Sequence, residues 1–173
     1  MSLLTHDEKK RQSKLIQNQL QKTLTDEVGI WVAYKNLNDE PEILWDEVSS
    51  QIKWAFPKLK NDQLEFCLSV STFNRSALGF LEPVDGTQIY CNEIAGFILP
   101  GLAYDKQGYR LGRGKAYYDR ALANYRGKKI AVCFEASLCE ELPHEEHDIK
   151  CDQIITPSKV CKINQFEGVS KWN

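Results

Sequence analysis

The sequence predicts an α/β fold: a single three-layer α/β/α domain over residues 1–173, with a mostly parallel central sheet. Three observations lead there. Apolar, β-prone runs alternate with segments of helical patterning, as in parallel sheets covered by helices. A length of 173 residues, with 42% hydrophobic and 27% charged residues, fits one globular domain without repeats or low-complexity tracts. A glycine-rich basic loop follows a central apolar run, where open α/β sheets bind ligands.

The elements follow in order. Thr5 and Glu8 have capping-box spacing and open a basic helix over about residues 7–22, with Leu15, Ile16 and Leu20 on one stripe. Ile30 to Tyr34 reads as a buried strand and Asn36 to Pro41 as a polar loop. Glu42 to about Gln51 predicts a short helix, and Lys53 to Phe56 a short strand stopped by Pro57. Leu64, Phe66, Leu68 and Val70 alternate with Glu65, Cys67 and Ser69, the pattern of a half-buried strand. Glu82 to Gly86 is a turn. Ile94 to Leu99 is another buried strand, ended by Pro100-Gly101. A helix starts near Lys115 and ends before Gly127, which suits a C-terminal cap. Lys129 to Phe134 and Gln153 to Thr156 complete the strands.

Composition narrows the function. With 22 Lys and Arg against 24 Asp and Glu, the formal net charge is −2, so no general grip on nucleic acid or anionic membrane is expected. No apolar run is long enough for a transmembrane helix, and MSLLTHDEKKRQSK lacks the apolar core of a signal peptide. The six cysteines form no CxxC pair and read as reduced, mostly buried thiols, so a cytoplasmic location is expected.

The informative stretch is PGLAYDKQGYRLGRGKAYYDR, Pro100 to Arg120. It holds Gly101, Gly108, Gly112 and Gly114 with Lys106, Arg110, Arg113, Lys115 and Arg120. Glycines expose backbone N–H groups and let a ligand approach, a following helix start favours an anion, and Arg and Lys add charge-assisted bonds. Together they suit a polyphosphate. Neither common phosphate pattern matches: the Walker spacing is wrong between Gly108 and Gly114, and a dinucleotide fingerprint would need glycine where Tyr117 stands. A solvated basic loop before an amphipathic helix accounts for the spacing equally well.

The whole string, however, closely resembles the signature of the 5-formyltetrahydrofolate cyclo-ligase (methenyltetrahydrofolate synthetase) family. That signature is Pro-Gly, an aliphatic, a small residue, an aromatic and Asp, followed by Arg-Leu-Gly-x-Gly, Gly or Lys, then Gly-Tyr-Tyr-Asp. Pro100 to Asp105, Gly108, Arg110, Leu111, Gly112, Gly114, Tyr117, Tyr118 and Asp119 fit it. Ala116 departs, standing where the family has glycine. Lys10 and Lys14 resemble a basic element that contacts ATP, with Lys14 where arginine is usual. Asn38-Asp39-Glu40 resembles the segment carrying a folate-contacting Glu, and Gly79 to Pro83 the family's turn of Gly, Ile or Val, any residue, Glu and Pro.

The resemblance implies ATP-dependent cyclisation of 5-formyltetrahydrofolate to 5,10-methenyltetrahydrofolate, with release of ADP and phosphate by way of a phosphorylated formyl group. It implies Arg113 and Lys115 as catalytic residues. Lys10, Lys14, Arg110, Leu111, Gly112, Arg113, Gly114, Lys115 and Tyr118 would bind ATP, and Glu40 and Tyr117 the folate. Asp119 and Asp148 would bind Mg2+, with Asp152 as rival to Asp148. Reduced folate and ATP are the implied partners, and a monomer the expected state. Structural roles compete at each position: core packing for the tyrosines, an ion pair with Lys115 or Arg120 for Asp119, and a cap or surface acid for Asp148. His144, His147, Asp148 and Cys151 match no common zinc module. Two other classes stand beside the ligase: a nucleotide- or folate-binding relative without turnover, and a sugar-phosphate isomerase-like enzyme on a similar sheet.

Overall fold

The computed structural model describes residues 4–76 and 79–163, so the outer ends of the expected domain lie outside the described residues. The chain runs α1 (His6–Thr23), β1 (Gly29–Val32), β2 (Ile52–Lys60), β3 (Gln63–Leu68), β4 (Phe73–Arg75), β5 (Leu81–Pro83), β6 (Thr87–Ile89), β7 (Ile94–Leu99), β8 (Ala103–Asp105), β9 (Arg110–Leu111), α2 (Tyr117–Leu122), β10 (Lys128–Val132), β11 (Leu138–Cys139), β12 (Gln153–Ile155) and β13 (Val160–Lys162). Eight strands form the main sheet in the order β13-β12-β10-β7-β1-β2-β3-β6. The five strands from β12 to β2 are parallel, and β13, β3 and β6 extend the edges antiparallel.

Strand periodicity sends alternate residues to opposite faces, and both faces are covered. Trp31 and Ala33 pack with Ile16, Leu20 and Leu24 of the N-terminal segment, whereas Val32 packs with Phe97, Leu99, Tyr104 and Leu122. α1 therefore covers one face, while α2 and the small β11-β8-β9 sheet cover the other. This is the expected α/β/α arrangement, with fewer helices than a fully wound sheet. All six cysteines are free, and burial pushes the Cys151 thiol up to about 12. Among the described residues no helix is long and apolar enough to cross a membrane.

Most expected elements form. The Thr5 hydroxyl accepts from the Glu8 backbone N–H at 3.2 Å and caps α1. Three elements differ. Glu42 to Gln51 holds a 3-10 turn at Trp45–Glu47 in place of a helix. Its backbone donors find acceptors on α1: Glu42 N–H donates to Ser13 Oγ at 3.0 Å and Leu44 N–H to Gln17 Oε1 at 3.1 Å. Trp45 Nε1–H donates to the Tyr34 carbonyl at 2.8 Å, which fixes the turn by tertiary contact over local propensity.

β2 continues through Pro57 to Lys60. The Ala55 carbonyl pairs toward the β1 side, and Pro57 shares that direction beyond the end of β1, so its missing N–H removes no ladder bond. Two residues on, Leu59 N–H donates to Glu82 Oε1 at 2.9 Å instead of to a strand.

α2 ends at Leu122, well before Gly127. Gly127 is not a left-handed cap; a Cβ there would meet the Tyr125 hydroxyl at 2.1 Å, so the glycine makes room for that ring.

β1 is the switch point of the sheet. From it the chain builds β2 on one side and, later, β7, β10 and β12 on the other. The crevice at the carboxyl ends of β1 and β7 is where such sheets bind ligands.

Candidate active site

Two loops close over that crevice. One leaves β1 at residues 35–41, and the other is the glycine-rich loop between β8 and α2. They bound a cavity of about 300 Å³ whose walls include Tyr34, Lys35, Glu40, Pro100, Arg110, Gly112, Arg113, Lys115, Tyr117 and Tyr118.

The second loop is built on Asp105. This carboxylate is fully buried and accepts from the backbone N–H groups of Gln107 at 2.9 Å, Tyr109 at 3.0 Å and Leu142 at 3.0 Å. That satisfies the turn that returns the chain to β9. Tyr104 is equally structural, donating its hydroxyl to the Leu99 carbonyl at 2.7 Å. The start of the motif is thus scaffold for its second half.

The second half presents the cations. Arg110 Nη2 donates to both carboxylate oxygens of Asp119 at 2.9 Å, and Ile149 N–H donates to Asp119 Oδ1 at 3.2 Å. Arg110 and Asp119 expose only 6% and 9% of their side chains, so this is a buried ion pair. The buried Nε–H of Arg110 has no acceptor among the described residues, leaving an unspent donor on a residue that lines the cavity. Arg113 crosses to the other loop: its Nη2 lies 2.5 Å from Asp39 Oδ1 and 3.7 Å from Glu40 Oε1. Lys115 lines the cavity without an ion-pair partner among the described residues. Gly114 adopts φ +78, and nothing stands within 4 Å of a Cβ built there. Leu111 is exposed on β9.

Ala116 caps α2 at φ 49, ψ 28, a left-handed conformation that strains any residue with a Cβ. Both tyrosines line the cavity. Tyr118 also packs against the core and carries the Arg110 guanidinium 5.5 Å from its ring centre, and burial raises its hydroxyl well above the usual range. Tyr117 leans on Arg120, whose guanidinium is 5.2 Å from its ring centre.

Glu40 is buried on the opposite wall, where its Oε2 accepts from Leu37 N–H at 2.8 Å. Burial raises its pKa, against the opposing pull of that hydrogen bond and of Arg113.

The expected residues are not all brought together. Lys10 and Lys14 are exposed on α1 and do not line the cavity; Lys14 faces Glu47 at 3.8 Å. Their neighbour Lys9 instead donates to the Asn38 carbonyl at 2.7 Å. Asp119 lines the cavity and also, with Asp148, a second depression that shares Ala116 with it; Asp148 does not reach the cavity wall. Asp148 Oδ2 accepts from Glu145 N–H at 2.8 Å, and Asp152 accepts from Lys129 N–H at 2.7 Å. Among the described residues no group of three His, Cys, Asp or Glu is arranged to hold a metal. Magnesium can bind through one or two carboxylates together with substrate phosphates. Of the two expected ligands, Asp119 accepts twice on Oδ1 and once on Oδ2 and is nearly buried, whereas Asp148 accepts from one N–H and is the more exposed. His144 stacks on Tyr109 with ring centres 3.7 Å apart.

Sequence reasoning missed Tyr34, Lys35 and Phe80 as cavity residues. Tyr34 and Lys35 lie two and three residues beyond β1, so the rule that ligands bind at the carboxyl ends of strands points to them. Phe80 carried no such signal.

A profile of the 5-formyltetrahydrofolate cyclo-ligase family matches residues 3–157. Over 63 residues the chain is 41% identical to the 5-formyltetrahydrofolate cyclo-ligase of Mus musculus, covering 33% of this chain and 31% of the relative. It is 42% identical over 66 residues to the protein of that name from Escherichia coli K12, covering 36% of each. The chain thus spans about a third of the length of these curated relatives in the matched stretch. The solved 5,10-methenyltetrahydrofolate synthetase of Aquifex aeolicus superposes with a TM-score of 0.80 at 26% identity, covering 96% of this chain and 88% of that one.

Proposed function

The chain belongs to the 5-formyltetrahydrofolate cyclo-ligase family, and from that membership we propose that it converts 5-formyltetrahydrofolate and ATP to 5,10-methenyltetrahydrofolate, ADP and phosphate. The observation that carries the reading is the cavity itself: a glycine-rich basic loop on one wall and buried Glu40 on the other, joined by Arg113.

The chemistry needs what these walls offer. The formyl group on N5 is an amide, and its carbon resists attack by N10 because the oxygen would have to leave as hydroxide. Transfer of the γ-phosphoryl to the formyl oxygen makes that oxygen part of a good leaving group. N10 then attacks the carbon, loses its proton, and phosphate departs carrying the former formyl oxygen. Such transfers are catalysed by positioning and charge neutralisation, without a protein nucleophile. Arg113 and Lys115 supply the charge, Gly112 on the cavity wall lets the phosphates approach the backbone, and nothing crowds the backbone at Gly114 beside it. Arg110, with its Nε–H unspent, binds the nucleotide beside Tyr118. Glu40 accepts from the pterin, and Tyr117 packs against it.

Magnesium would accompany the nucleotide and neutralise phosphate charge, with Asp148, the more exposed of the two expected carboxylates, to hold it. Lys10 and Lys14 would reach the nucleotide only from outside the cavity. The free, largely buried cysteines suit a reducing compartment such as the cytoplasm.

A heavy-oxygen label in the formyl group tests the phosphorylated intermediate. The label is expected in the released phosphate; label retained in water would contradict the proposed transfer.

A further inference from the structure

The cations of the cavity are not equivalent. Arg110 is held by Asp119, and Arg113 by Asp39 and Glu40. Two others, Lys115 and Lys35, have no carboxylate within ion-pair distance among the described residues. They enter from different walls. Lys115 follows the glycine loop, where backbone N–H groups and guanidinium groups gather. Lys35 follows β1, and its Nζ sits 4.9 Å from the Phe56 ring centre and 4.7 Å from that of Phe73. Those two rings meet edge to face at 5.1 Å, so the ammonium rests on a fixed aromatic seat. A ring quadrupole orients a cation without neutralising it, so the charge stays available to a ligand.

The surroundings of Lys35 decide which anion. Phe80 and Leu81, on the strand paired with that of Phe73 or just before it, line the same cavity and offer an apolar surface without the array of donors a phosphate chain needs. An aromatic body ending in a carboxylate matches that surface. We propose that Lys35 binds a glutamyl carboxylate of the folate substrate and sets the affinity for that end of the molecule; this rests on the cyclo-ligase reading above.

The test is steady-state kinetics of Lys35→Gln and Lys35→Arg with 5-formyltetrahydrofolate and with its pteroate analogue, which lacks the glutamyl group. For Lys35→Gln, loss of a charge-assisted contact is expected to raise KM for 5-formyltetrahydrofolate about tenfold, while KM for magnesium ATP stays put. Lys35→Arg restores most of the loss. With the pteroate analogue, the native chain and Lys35→Gln have the same KM. A Lys35→Gln effect on KM for ATP, an equal effect on both folates, or no effect overturns the assignment while leaving the ligase reading intact. A native chain that makes no methenyl product overturns the ligase reading and this assignment with it.

Discussion

Arg113 and Asp39 lie 74 residues apart in the chain, yet their side chains meet at 2.5 Å across the mouth of the cavity. The contact joins the loop proposed to hold phosphate to the loop proposed to hold folate. Both partners are about half exposed, at 44% and 49%, so the pair contributes little to stability and can yield to a ligand. Removing Arg113 should therefore separate function from folding. Arg113→Ala is expected to lower kcat/KM for methenyl formation about 100-fold, as loss of an electrostatic stabiliser does. Its urea unfolding free energy should stay within about 1 kcal/mol of the native chain. A large stability loss would make the contact structural.

Asp119 is the opposite case. Its carboxylate holds Arg110 and the Ile149 N–H in a nearly dry environment. Truncation strands a buried guanidinium, so Asp119→Ala should cost about 3–5 kcal/mol in urea unfolding. The loss should be the same with magnesium or with a chelator. A loss that appears only with magnesium would return Asp119 to a direct metal role.

Ala116 stores strain. Its left-handed φ of 49 disfavours a Cβ by about 1–2 kcal/mol, and glycine gives back part of that through a freer unfolded chain. Ala116→Gly should raise the unfolding free energy by up to about 1 kcal/mol. A decrease would mean that the methyl makes a packing contact outweighing the strain.

Glu40 sets a pH dependence. Burial raises its carboxyl above 4.5, so the folded chain binds this proton at higher pH than the unfolded chain does. Its contribution to stability therefore falls as pH rises from about 4.5 through the raised value, then levels off. Glu40→Gln keeps an oxygen for the Leu37 N–H and removes the charge. Its stability relative to the native chain should rise across that window and stand highest near neutrality, while activity falls. A pH-independent difference would remove burial as the controlling influence.

The central strands and the glycine loop were legible because their signals are local: apolar runs at Ile30 to Tyr34 and Ile94 to Leu99, and the Pro100 to Asp119 string. What was not legible depended on partners distant in sequence. Trp45 forms a 3-10 turn because Ser13 and Gln17 of α1 take its neighbours' N–H groups. Pro57 continues a strand because β1 has already ended beside it. Asp119 pairs with Arg110, nine residues back on β9, where spacing suggested Lys115 or Arg120. The place of Lys35 just beyond β1 is legible from the strand-end rule, but its aromatic seat is not. Its two aromatic neighbours come from β2 and β4.

The most direct measurement is the near-ultraviolet absorbance of the methenyl product when the purified chain meets 5-formyltetrahydrofolate and magnesium ATP. The band is predicted to grow only when chain, folate and magnesium ATP are all present, with one ADP released per methenyl group formed. ATP and folate that bind without the band appearing would contradict the cyclo-ligase reading and leave a ligand-binding relative in its place.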